Sequence, residues 1–71
     1  MQDIGLEKAK SIALSHAGVA SGSVRWGKVR QDREDGVLVY EIEFYVGQTE
    51  YDYEIDAATG AIRDYDVDTE D

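Results

Sequence analysis

The 71-residue chain contains no cysteine, so neither a disulfide framework nor a thiolate metal site can supplement its core. Cations are scarce. Seven Lys and Arg stand against sixteen Asp and Glu, a formal net charge of −9. That charge repels nucleic acid phosphates and anionic lipid, which argues against both as partners and favours cationic ones. Long apolar runs are also missing. The longest, residues 37–40, has four residues, against the roughly 20 that a membrane-spanning helix needs. No charged-then-apolar leader opens the chain. Met1 runs directly into a helix-like segment, so the expectation is a shortened piece of a longer protein, and the missing leader does not argue for the cytoplasm.

What is present suits a soluble globular fold, with 42% apolar and 32% charged residues. The length implies a single domain, residues 1–71. A domain of this size buries only about 60% of the surface its unfolded chain exposes, so its core is thin. Residues 4–17 read as a helix. At about 100° per residue, Leu6, Ala9, Ile12, Ala13, His16 and Ala17 share one sector, with Glu7, Lys8, Ser11 and Ser15 opposite. Asp3 is the expected N-cap and Gly18 the stop, with Val19 folding back on the last turn. The alanine-rich stripe fits close packing on a sheet.

After a small-residue linker (19–23) the period becomes two. Strands are expected at about 24–31, 37–46, 49–56 and 61–67, separated by the charged turn 32–36, a tight turn with glycine first at Gly47-Gln48, and a second glycine-closed turn, 56–60. The acidic tail 68–71 is expected to fray. The fold class is α+β, one N-terminal helix on a four-stranded antiparallel meander.

Placing Gly47-Gln48 at the turn sets Phe44 opposite Tyr51, Ile42 opposite Tyr53 and Tyr40 opposite Ile55. The other face then pairs Glu43 with Asp52 and Glu41 with Glu54. Directly facing like charges destabilise a strand pair, so Arg25, Lys28 and Arg30 before, and Arg63 after, are expected to reach over an acidic centre. The first hairpin permits either face for Trp26, Lys28 and Arg30, and both remain open.

These residues invite several chemistries. Catalytic carboxylates need a water-poor cleft that separates their pKa values, which an open sheet face lacks. Calcium suits oxygen ligands, yet placing Gly36 at the glycine of a calcium loop puts Gln31 first, Arg33 third and Ile42 twelfth, and all three fail. A lone His16 without cysteine makes no zinc site, and Ser15 points away from it around the helix, so no nucleophile–base pair arises there. His16 is expected at the core edge, bonded to backbone or water. The 18–22 glycines follow a helix rather than open one and make no phosphate cradle. No catalytic, metal or cofactor residues are therefore assigned. Tyr40, Phe44, Tyr51 and Tyr53 read as core, whereas Tyr45 and Tyr65 read as exposed.

The segments 39–44 (VYEIEF) and 53–60 (YEIDAATG), with Leu6, Ala9, Ile12, Ala13, Ala17 and Gly18 in the helix, resemble the PepSY domain family of peptidase propeptides and bacterial envelope proteins. The likeness runs from about Leu6 to Asp66. It implies a cystatin-like α+β domain, outside the cell or at its envelope, that restrains or chaperones a peptidase and has no active site of its own. The resulting expectation is a non-enzymatic protein-binding module whose partner is a peptidase or another envelope protein. Its binding surface is the open sheet face, with Glu41, Glu43, Tyr45, Asp52 and Glu54. A free edge strand is a second route, by addition to a partner's sheet or to another copy as a homodimer. The rival readings are a small-ligand or calcium sensor, in which a cation relieves the stacked like charges, and a structural spacer.

Overall fold

The structure, a computed structural model, describes residues 3–70. It contains α1 (Leu6–Ala17), a 3-10 turn (Ser21–Ser23), and the strands β1 (Arg25–Glu34), β2 (Val37–Val46), β3 (Thr49–Asp56) and β4 (Ile62–Thr69). The four strands form one sheet in the order β1-β2-β3-β4, every neighbouring pair antiparallel. The helix lies on one face. This is the α+β meander that the periodicity predicts.

The β2–β3 register is also the expected one: Phe44 faces Tyr51, Ile42 faces Tyr53 and Tyr40 faces Ile55. Gly47 takes φ 61, which a hairpin turn with glycine first requires. These residues build the core beneath α1, joined by Ala9 and Ala13, both fully buried. Having only methyl side chains, the two alanines let the helix axis come close to the sheet. The aromatic rings form a row across all four strands. Trp26 meets Phe44 edge-on at 5.5 Å, Phe44 stacks with Tyr51 at 5.0 Å and with Tyr53 at 6.0 Å, and Tyr53 stacks with Tyr65 at 5.7 Å. Offset stacked and edge-to-face pairs of this kind add to the energy of burial itself.

The helix ends differ from each other. At the C-terminus, Gly18 adopts φ 75, and the N–H groups of Gly18 and Val19 both donate to the Leu14 carbonyl, at 2.9 and 3.2 Å. That is the expected stop, with the chain folded back. At the N-terminus the expectation fails. The helix starts at Leu6 rather than residue 4, and Gly5 (φ 88) is its N-cap residue, with no side-chain cap. Asp3 instead accepts hydrogen bonds from the Tyr40 hydroxyl (2.6 Å), the Gln31 amide (2.8 Å) and the Gly5 N–H (2.8 Å). Sheet donors hold the carboxylate, the Tyr40 hydroxyl foremost, and its pKa lies below the usual value. Leu6 and His16, placed in the apolar stripe by angle, lie at its rims and are exposed.

Two strands outrun their expected bounds. Asp35 (φ 52) and Gly36 (φ 79) both take positive φ, so two residues suffice for the turn and β1 continues to Glu34. At the other end β4 reaches Thr69. Its hydroxyl lies 3.1 Å from that of Thr49, and the Glu70 N–H donates to the Gln48 carbonyl at 3.0 Å. The tail is therefore paired through Glu70, against the expected fraying; Asp71 lies outside the described residues.

The 56–60 turn is held by its own side chains. The Asp56 carboxylate accepts from the N–H groups of Ala58 (2.8 Å) and Thr59 (2.9 Å), which keep its pKa low. Gly60 takes φ 82 and lies under the helix, where an added Cβ would come within 3.0 Å of Ile12 Cδ1.

Phe44 is fully buried and touches the rings of Trp26, Tyr51 and Tyr53. Replacing it with alanine, Phe44→Ala, removes the middle of the row and is expected to cost about 3–5 kcal/mol, a large part of a small domain's stability. Urea unfolding followed by tyrosine fluorescence checks this. A loss under about 1 kcal/mol would mean that the row collapses around the gap.

Candidate functional site

The face of the sheet away from α1 is built by the alternate residues of each strand. On β2, Glu41, Glu43 and Tyr45 share it; on β3, Glu50, Asp52 and Glu54. The β3–β4 register adds Asp68 beside Glu50, Asp66 beside Asp52 and Asp64 beside Glu54. Carboxylates thus occupy three adjacent strands. The expected pairs Glu43–Asp52 and Glu41–Glu54 are present, and the structure brings Glu41, Glu43, Tyr45, Asp52 and Glu54 together. It also places Glu50 and the three β4 aspartates in the same patch, which the sequence reading left out of the binding set. Glu50, Asp64 and Asp66 lie within the strands expected at 49–56 and 61–67, where alternation was their signal; only Asp68 falls in the tail expected to fray.

The first hairpin is settled by a bulge. Register shifts between Trp26 and Val29, so Trp26 faces Phe44 and Val29 faces Ile42, both on the helix side, while Arg30 faces Glu41. Two residues, Gly27 and Lys28, stand in the bulge, and this one-residue slip is what period-two reasoning cannot see. Glu43 lies across it. Its Oε1 accepts the Lys28 N–H at 2.9 Å, and a Cβ on Gly27 would sit on top of the same carboxylate. That N–H holds the Glu43 carboxyl below its usual pKa. Trp26 packs toward α1, with Lys10 Nζ 4.5 Å from its ring centre.

Counter-charge comes from β1. Arg30 Nε donates to Glu41 at 2.9 Å, and its Nη2 lies 3.7 Å from Asp32. The Arg25 guanidinium covers the Tyr45 ring at 4.8 Å, so Tyr45, expected to be bare, is half-buried. From the far side the expectation is only partly met. Arg63 sits in the bulge where β4 shifts register, and β4 itself brings aspartates to the face. The result is a charge gradient, cationic along β1 and anionic toward β4. Another unexpected residue is Val39, which has the parity of Glu41 yet is fully buried.

The tightest carboxylate groups are Glu43–Glu50–Asp52 and Asp32–Glu34–Glu41, each with oxygens within 4.8 Å of one another. These are the oxygens a hard divalent cation would take. In the first group the strain of like charge shows as proton uptake. Hydrogen bonding and repulsion from Asp52, then partial burial and Glu43, push Glu50 up to about 7. His16 lies on the opposite side of the sheet. Its Nδ1 lies 2.9 Å from the Tyr53 hydroxyl and its ring meets Tyr65 edge-on at 4.7 Å, so a side-chain hydroxyl is its hydrogen-bond partner within the protein.

The raised Glu50 pKa has a signed consequence. The folded state holds this proton more tightly than the unfolded chain, so the contribution is fully present below the ordinary value of 4.5 and is lost as pH rises through about 7. Melting temperature is therefore expected to fall between pH 5 and pH 8, by more in the native protein than in Glu50→Gln. Identical slopes for the two proteins in a thermal scan would remove the shared proton from the account.

Comparison with known proteins gives a consistent result. The family model described as "Peptidase propeptide and YPEB domain", PepSY, matches residues 3–66. A curated protein, "Uncharacterized protein Spy1430" of Streptococcus pyogenes serotype M6, is 52% identical over 56 residues, covering 79% of this chain and 43% of that protein. The chain thus spans less than half the length of that relative. No solved structure matches it.

Proposed function

We propose that the chain, which belongs to the PepSY family, is a non-enzymatic module which binds a peptidase at or outside the cell envelope and restrains or chaperones it. The observation that carries the reading is the open face. Five carboxylates of β2 and β3 and three of β4 converge there with Tyr45, and β1 supplies cations at one margin only. A predominantly anionic surface on an open sheet face attracts a basic partner and speeds encounter. Its depression of about 210 Å³, lined by Lys28, Glu41, Glu43, Asp52, Glu54 and Asp64, is open to water, unlike the water-poor clefts in which carboxylate pKa values are driven apart. Among the described residues no helix is long and apolar enough to cross a membrane.

In this reading Glu43, Asp52 and Glu54 are the centre of contact, and Glu41 is held back by Arg30. Purified domain is expected to slow a thermolysin-like metalloprotease or to capture a peptidase from its host's extract. The triple change Glu43→Gln, Asp52→Asn, Glu54→Gln is expected to weaken binding at least about tenfold, by removing desolvated charge pairs. Binding should also weaken with added salt. Absence of both inhibition and capture, in the native protein at low salt, would overturn the reading.

A further inference from the structure

The open edge of β4 is a second surface, independent of the peptidase reading. β4 ends the sheet, so half of its backbone groups have no strand beside them. Which half follows from two bonds. The Glu70 N–H points inward to the Gln48 carbonyl (3.0 Å), whereas the Tyr65 N–H is taken by the Asp64 carboxylate (3.0 Å). By the alternation of an antiparallel strand, the N–H and C=O groups of Tyr65, Val67 and Thr69 point outward. The two sides of this edge differ sharply. Asp64, Asp66 and Asp68 stand exposed on the open-face side. On the helix side, Tyr65 is 52% and Val67 46% exposed, because α1 packs chiefly over the first three strands and touches β4 through the His16 ring against Tyr65.

A strand added here lies about 4.8 Å away and sends successive side chains to opposite faces. One set meets the aspartate row and the other meets Tyr65 and Val67. We propose that β4 accepts, by strand addition, an extended segment of a partner protein in which cationic residues alternate with apolar ones. Each cation is flanked by aspartates, and each apolar residue covers exposed ring or methyl surface, the cross-strand pairs that stabilise a sheet. The same geometry opposes a second copy. A two-fold pairing of β4 with β4 keeps like faces together and sets aspartate against aspartate. The Asp64 carboxylate already occupies one outward N–H, a mild guard of the kind edge strands use.

The test is a titration of isotope-labelled protein with a peptide of about eight residues, alternating lysine and valine. A control peptide has the same composition in two blocks. The alternating peptide is expected to bind at least about tenfold more tightly. Amide shifts should centre on Tyr65, Val67 and Thr69, with slowed hydrogen exchange at Val67. Asp64→Asn, Asp66→Asn and Asp68→Asn together should abolish the preference without altering the fold, and Val67→Pro should abolish binding by removing an outward N–H. Equal binding of the two peptides would reduce the effect to charge attraction and overturn the proposal. So would shifts confined to β2 and β3, or self-association of the protein that the peptide fails to disperse. None of these readouts involves a peptidase, so failure here leaves the peptidase reading standing, and the reverse holds.

Discussion

The pairing of β2 with β3 is the constraint from which the rest follows. A period of two over both strands, with a two-residue turn between them, fixes the register, and a slip of one residue would exchange the two faces. In the observed register Tyr40, Ile42, Phe44, Tyr53 and Ile55 are all buried beneath α1. The cost is paid on the other side, where Glu41 faces Glu54 and Glu43 faces Asp52. The helix side decides because burying large apolar groups is worth about 1.5–3 kcal/mol each. Like charges facing across a wetted sheet oppose by far less.

The like charges are then relieved locally, by three different means. Arg30 pairs with Glu41. The bulge at Gly27-Lys28 turns a backbone N–H toward Glu43. Glu50, beyond reach of β1, keeps a proton to a pH near 7. The order is spatial: on β2, beside the cationic edge, an ion pair and a hydrogen bond; on β3, farther in, protonation. On β4 the aspartates are exposed to water, which screens them without help from the protein.

The class, the strand order and the central register are legible in the sequence because they depend on periodicity alone. Where legibility stopped, the deciding feature was an interruption of period or a contact distant in sequence. The Trp26 facing depends on the Gly27-Lys28 bulge, which no alternation announces. Asp3 has the type and position of a cap, yet Tyr40 and Gln31 reach it across the fold. Asp64 and Asp66 were legible in the expected strand 61–67, but Asp68 reads as solvated tail until Thr49 and Gln48 are seen to hold the end of β4.

Of the two segments that carry the family likeness, 53–60 is largely occupied by the scaffold. Tyr53 and Ile55 are core, Asp56 ties its own turn, Ala57 is buried and bonds Ile4 and Leu38 through its backbone, and Gly60 makes room for Ile12. Every one of these roles concerns folding. Membership in the family therefore transfers the shape and leaves the partner unspecified. On the reading proposed above, recognition falls to positions the scaffold does not claim: Glu54 within that segment, Glu50 and Asp52 before it, and both sides of β4. Those positions tolerate exchange of side chain with little effect on the core, so the same backbone can present a different surface without a new fold.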